Sequence, residues 1–118
     1  MVDSVALKDQ KVKQFRKGIL ELAILKIISG KECYGYHIIE TLKDNGLQIT
    51  EGTVYPILSR LKDDETISYR WEESNKGPPR KYYFITDKGI ELLKMLTIEW
   101  QSINKTLQRI MENGNEKP

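Results

Sequence analysis

Apolar residues recur at helical spacing from Lys11 to Ser29, where Phe15, Ile19, Leu22, Ala23 and Ile27 form one stripe. Leu20, Ile24, Leu25 and Ile28 widen it until the second half is apolar nearly all round, as in a helix at the middle of a body. Gly30 stops it. A shorter helix is predicted from about Tyr34 to Lys43, with Ile38, Ile39 and Leu42 inward and Asn45-Gly46 as its end. A third begins near Gly52-Thr53. Val54, Ile57, Leu58 and Leu61 make its stripe, Gly52, Pro56, Ser59 and Asp63 face away, and Thr53, Tyr55 and Arg60 lie on the flanks. Pro56 lacks an N–H, which puts it in the first turn or loosens that turn.

The period then changes. Ile67, Tyr69 and Trp71 alternate with Ser68, Arg70 and Glu72, a strand with one apolar face. Ser74-Asn75-Lys76-Gly77-Pro78-Pro79 reads as a loop through which no strand continues, and Lys81 to Ile85 as the returning strand of a hairpin. Thr86 caps a last helix, with Asp87 in its first turn to suit the helix dipole and Gly89 an oddity inside that turn. Leu92, Leu93, Leu96, Trp100, Ile103, Leu107 and Ile110 mark its stripe.

The order helix, helix, helix, two-stranded wing, long helix predicts a mainly α chain with a small β-hairpin (α+β). The expected fold is a winged helix-turn-helix with a long C-terminal dimerisation helix. Its organisation is a flexible tail over 1–10, the winged helix-turn-helix over 11–86, the dimerisation helix over 87–112 and a flexible tail over 113–118. In such a fold the third helix enters a DNA groove and the wing rests on the backbone beside it.

Charge sharpens this picture. The net charge is only +2, but residues 1–65 hold ten bases and ten acids and residues 87–118 five of each. The surplus lies in 66–86, with Arg70, Lys76, Arg80 and Lys81 against Glu72 and Glu73. Lys8, Lys11, Lys13, Arg16 and Lys17 make a second basic stretch, opposed nearby by Asp9. A local basic feature on a near-neutral body makes phosphate contacts without indiscriminate stickiness, although an ordinary solvated charge run has the same composition. One cysteine, Cys33, excludes an internal disulfide and points to a reducing compartment. With no signal-peptide pattern and no apolar run near the ~18 residues of a membrane span, a cytoplasmic chain is expected. One histidine, His37, leaves little material for a triad or a metal site, so no catalysis, metal or cofactor is expected.

Candidate binding residues gather in three places. At the start of the third helix, Gly52, Thr53 and Pro56 admit close approach, while Tyr55 and Arg60 reach phosphates or base edges. Asp63 and Asp64 repel a phosphate at its far end. The hairpin tip carries Lys76, Arg80 and Lys81 with no acid between Asn75 and Lys81, on a loop stiffened by Pro78-Pro79. The last helix exposes a stripe too long for a small core to cover, and a copy of itself is the cheapest cover. Within that stripe (Leu96, Trp100, Ile103, Leu107), Trp100 reads either as dimer core or as an indole face for a flat apolar ligand.

Several of these segments resemble the PadR family of bacterial transcriptional regulators. The matching stretches are Gly18-Ile19-Leu20-Glu21, Tyr34-Gly35-Tyr36, the run Glu51 to Leu61, Gly77-Pro78-Pro79-Arg80-Lys81-Tyr82-Tyr83 and Thr86-Asp87-Lys88-Gly89. The resemblance covers about residues 12 to 112, and the single C-terminal helix looks like the small subfamily, which includes dimeric multidrug-responsive repressors. It implies a homodimeric repressor that binds an inverted repeat in double-stranded DNA. Thr53, Tyr55, Pro56 and Arg60 would be the third-helix contacts, Lys76, Arg80 and Lys81 the wing contacts, and Tyr36 a phosphate contact. Trp100 sits where multidrug-responsive members stack planar drugs between subunits. One stretch departs from the pattern. Where the family usually has glycine after the third helix, this chain has Asp63-Asp64-Glu65-Thr66, so a turn of another shape is expected. The alternative from a different class is a winged-helix protein–protein interaction module.

Overall fold

The computed structural model describes residues 4–113. These form helices α1 (Ser4–Gly30), α2 (Gly35–Asp44), α3 (Glu51–Asp63) and α4 (Asp87–Asn113), with strands β1 (Cys33–Tyr34), β2 (Ile67–Ser74) and β3 (Gly77–Ile85). This is the expected α+β winged helix-turn-helix with a long last helix.

The inward stripes make the core. Leu20, Ile24, Leu25 and Ile28 of α1 meet Ile38, Ile39 and Leu42 of α2 and Val54, Ile57, Leu58 and Leu61 of α3, all buried, with Ile67 and Tyr83 closing the sheet side. Each such aliphatic side chain contributes about 2 kcal/mol on leaving water. From α4, Leu92, Leu93 and Leu96 pack against this core.

α1 begins at Ser4, so residues 4–10, expected as a flexible tail, are helical. Ala6, Leu7, Lys8, Gln10 and Lys11 are good helix formers, and no glycine interrupts them before Gly18. Every described residue up to Ile19 is exposed, so this half has no core contact to announce it. α4 likewise runs one residue further than predicted, to Asn113. The remaining tail residues, 1–3 and 114–118, lie outside the described residues. Pro56 falls in the second turn of α3 rather than the first, because the helix starts at Glu51. The Gly52 carbonyl it leaves unpaired lies on the exposed side, open to water.

The wing is three-stranded, in the order β1-β3-β2, where two strands were expected. β1 pairs Cys33 with Tyr83 and Tyr34 with Tyr82. At two residues it is too short to show a period. Pro78 and Pro79, expected to end any strand, lie within β3. Pairing is regular from Ile67↔Ile85 to Glu72↔Arg80 and then shifts to Ser74↔Gly77, so the prolines occupy the irregular step, where no ladder N–H is demanded of them.

The turn after α3 keeps the left-handed shape despite its lack of glycine. Glu65 sits at φ 64°. The Thr66 N–H donates to the Leu61 carbonyl and the Glu65 N–H to the Lys62 carbonyl, both at 3.0 Å, the Schellman pattern. α2 ends in the same way with Gly46 at φ 97°. Thr86 joins this turn to α4: its hydroxyl donates to the Glu65 carbonyl at 2.6 Å and accepts the Gly89 N–H at 3.1 Å. Gly89 is no oddity in this setting, since a Cβ there would overlap the Thr66 carbonyl oxygen.

Candidate nucleic-acid interface

α3 presents its first two turns to solvent. Thr50 is the N-cap residue in an extended conformation, and no side chain caps the first-turn N–H groups. Its carbonyl accepts the N–H groups of Thr53 and Val54 at 3.0 and 3.1 Å. The buried stripe Val54-Ile57-Leu58-Leu61 fixes the rotation of the helix, so Gly52, Thr53, Tyr55 and Pro56 are exposed together. Arg60, one turn on, is half-buried and held by Glu21 of α1 across a 2.9 Å ion pair.

Tyr55 leans toward α2. A Cβ on Gly35 would lie 2.7 Å from the Tyr55 hydroxyl, so glycine at 35 is what lets the phenol lie across the start of α2. Beyond it, Tyr36 is exposed, with its ring stacked on Tyr34 at 5.8 Å. The Arg80 guanidinium lies 5.4 Å from the Tyr36 ring, which ties the wing to α2.

A cleft of about 620 Å³ runs between α3 and the wing, lined by Tyr34, Gly35, Tyr36, Tyr55, Trp71, Pro79, Arg80, Lys81 and Tyr83. No carboxylate lines it. The Lys81 ammonium sits 4.6 Å from the Tyr69 ring and 5.7 Å from that of Trp71. Burial first, then the nearby Tyr55 and Tyr69, pushes the Tyr83 phenol up to about 12, so it stays neutral beside these cations. Lys76, Arg80 and Lys81 make no ion pair among the described residues, whereas Arg70 is bound by Glu32 and Glu72. The hydrogen bond that the Arg70 guanidinium donates to Glu32 is the main reason it is held above the ordinary range.

The sequence-predicted residues therefore divide. Tyr36, Tyr55, Arg80 and Lys81 come together in the cleft. Thr53, Pro56 and Arg60 lie on the opposite flank of α3 and line a separate groove. Lys76 stands apart in the turn at the wing tip. Trp71 continues the alternation that predicts an inward strand face, yet it is 60% exposed and lines the cleft. It was missed as a site residue, as was Tyr34; an aromatic continuing the strand period past the last core residue was the available signal.

Away from this face, α1 and α4 enclose an apolar groove of about 710 Å³ lined by Ile19, Leu22, Ala23, Lys26, Leu93, Lys94, Thr97, Ile98 and Trp100. Trp100 is 46% exposed. Ile103 and Leu107 are exposed further along α4, outside the groove, and Leu96 is half-buried against the chain's own core. Cys33 is buried, which pushes its thiol up and keeps it protonated; Lys31 opposes this weakly. Among the described residues no group of His, Cys, Asp and Glu side chains could hold a metal ion, and no helix is long and apolar enough to cross a membrane.

Residues 24–95 match the model of the transcriptional regulator PadR-like family. A PadR-like transcription factor from Bacteroides fragilis is 44% identical and superposes with a TM-score of 0.75 over 86% of this chain and 98% of its own. A PadR-like transcriptional regulator from Bacillus cereus is 39% identical, with a TM-score of 0.73 over 83% of this chain and 96% of its own. An uncharacterised protein of Lysinibacillus sphaericus is 34% identical over 99 residues, 81% of this chain and 91% of its own length. With a wing, an open-faced third helix and a long last helix in the family's order, the chain belongs to the PadR-like family of DNA-binding transcriptional regulators.

Proposed function

We propose that the chain acts as a homodimeric repressor of the small PadR subfamily. Two copies join along α4 and the N-terminal half of α1, and the paired α3 helices and wings bind an inverted repeat. One observation carries the reading. Phe15 and Ile19 on α1, with Ile98, Trp100, Ile103, Leu107 and Ile110 on α4, are all exposed on helices that project beyond the core. Monomeric proteins rarely leave so long an apolar surface wet, and a two-fold partner covers it with itself. Thr53, Tyr55, Pro56 and Arg60 then face the DNA, with Tyr36, Lys76, Arg80 and Lys81 on phosphates.

The apolar groove beside Trp100 suits a planar apolar effector, which would stack on the indole. Such a ligand relieves repression only by binding the two dimer states with different affinity.

Selection of bound duplexes from a random pool, together with sedimentation of the protein, tests the proposal. The expected result is a dimer that enriches an inverted repeat with half-sites about 10 base pairs apart, or a multiple of that. Trp100→Ala should abolish binding of planar dyes and leave the dimer intact. A monomer, or a pool with no enriched sequence, contradicts the reading.

A further inference from the structure

On the flank of α3 turned away from the wing lies a second groove, of about 560 Å³, with walls from two helices. One wall is the start of α3, with Gly52, Thr53 and Pro56; the other is α1, with Lys13, Arg16 and Lys17. No carboxylate lines it. Lys13, Arg16, Lys17 and Leu20 stand at i, i+3, i+4 and i+7, one face of a helix. Leu20 is buried in the core, which fixes the rotation of α1 and aims the three cations beside α3. None of the three makes an ion pair among the described residues. Like charges one turn apart destabilise a helix, and among the described residues no ion pair to these three offsets that cost.

We infer, resting on DNA binding by α3, that this strip of α1 holds the phosphate backbone lying across the major groove from the wing. A major groove is about 12 Å wide and is bounded by two backbones, so a helix lodged in it has one on each side. The cleft with Arg80 and Lys81 lies on the Tyr55 flank of α3, and the α1 strip lies on the Thr53–Pro56 flank. The wing takes one backbone and Lys13, Arg16 and Lys17 take the other. Phe15, Ile19 and Leu22 lie on a different face of α1, so a second copy packed there leaves the strip open. Glu21, one turn beyond Lys17, grips Arg60 of α3 at 2.9 Å and so sets the spacing between the strip and the reading helix. Phosphate contacts carry no base information, so the strip supplies affinity and register and leaves sequence choice to α3.

The test compares the wild-type chain with Lys13→Gln/Arg16→Gln/Lys17→Gln. Both are titrated, from about 50 to about 200 mM salt, against a random-sequence duplex and a duplex enriched by the wild type. The slope of log affinity against log salt should fall by about three for each protomer bound, on both duplexes alike, with the ratio between them kept. Neutral methylphosphonates placed in the strand across the groove from the wing should weaken the wild type and leave the glutamine variant indifferent. The charge-conserving Lys13→Arg/Arg16→Lys/Lys17→Arg should keep the full slope, which separates loss of charge from loss of fold. An unchanged slope in the glutamine variant overturns the α1 strip and leaves DNA binding by α3 standing. Loss of sensitivity only at wing-side phosphates overturns the placement. Absence of salt-dependent DNA binding by the wild type overturns both.

Discussion

Glu65 stands in a position that favours glycine, and replacing it tests how the turn between α3 and the wing is held. Among the described residues it is the only non-glycine with a positive φ, 64°. A side chain in that region costs roughly 1–2 kcal/mol through contact of Cβ with the following carbonyl. Glycine removes this term but gives back roughly 0.5–1 kcal/mol of backbone entropy in the unfolded chain. The Glu65 side chain is exposed and makes no ion pair among the described residues, so its removal forfeits none. It also follows Asp63 and Asp64 at the negative end of α3, where one carboxylate fewer is favourable by about 0.3 kcal/mol. The two Schellman hydrogen bonds and the bond from Thr86 use no side-chain atom of residue 65 and survive the change. Glu65→Gly should therefore stabilise the protein by about 1 kcal/mol, raising Tm by about 4 °C. The assay is urea unfolding followed by circular dichroism at one fixed protein concentration, since a dimer's stability depends on it. Glu65→Ala, which drops the charge but keeps Cβ, should gain only a few tenths of a kcal/mol. Destabilisation by glycine, or equal effects of glycine and alanine, would refute the left-handed turn as the source of the cost.

Gly89→Ala should cost more than about 3 kcal/mol, because its Cβ meets the Thr66 carbonyl and lies 2.7 Å from Ile85 Cγ1, while Gly18→Ala, with nothing within 4 Å, should stabilise α1 by about 0.5–1 kcal/mol; the same urea titration reads both. Tyr83 is held at about 12 while the unfolded phenol ionises near 10, so the unfolded chain loses its proton first as pH rises. Its contribution is whole below pH ~10 and is lost between pH ~10 and ~12, and Tyr83→Phe should flatten the stability curve in that window. Lys76→Ala with Lys81→Ala should weaken binding to every duplex alike, measured by anisotropy on enriched and scrambled DNA; a loss confined to one sequence would show the wing reading bases.

Most of the fold was legible because its helices carry their burial in their spacing. Val54-Ile57-Leu58-Leu61 proved buried as a set, and Thr86 caps α4 as its chemistry suggested. What escaped has physical reasons. β1 has two residues and no period, and its existence depends on a long-range register with Tyr82 and Tyr83. The helical start of α1 makes no core contact, so its apolar spacing could not be told from a tail. Pro78 and Pro79 remain in a strand because the ladder is irregular where they lie. Glu65 takes a left-handed turn where its lack of glycine predicted another shape, because surrounding backbone bonds over-determine it. The site was visible as residue types near Thr53, Tyr55 and Arg80. The tether from Glu21 to Arg60 and the approach of Lys13, Arg16 and Lys17 to α3 come from how α1 packs, which no local pattern contains.

The central claim is that α3 and the wing bind duplex DNA in a sequence-selective way through phosphate contacts made by a dimer. Its most direct test is the affinity of the purified protein for the DNA upstream of its own gene, against a scrambled duplex, at two salt concentrations. The account predicts binding by a dimer that prefers the upstream DNA and weakens steeply with salt on both duplexes. Equal absence of binding to both at low salt would contradict it and turn attention to a protein partner for the same surfaces.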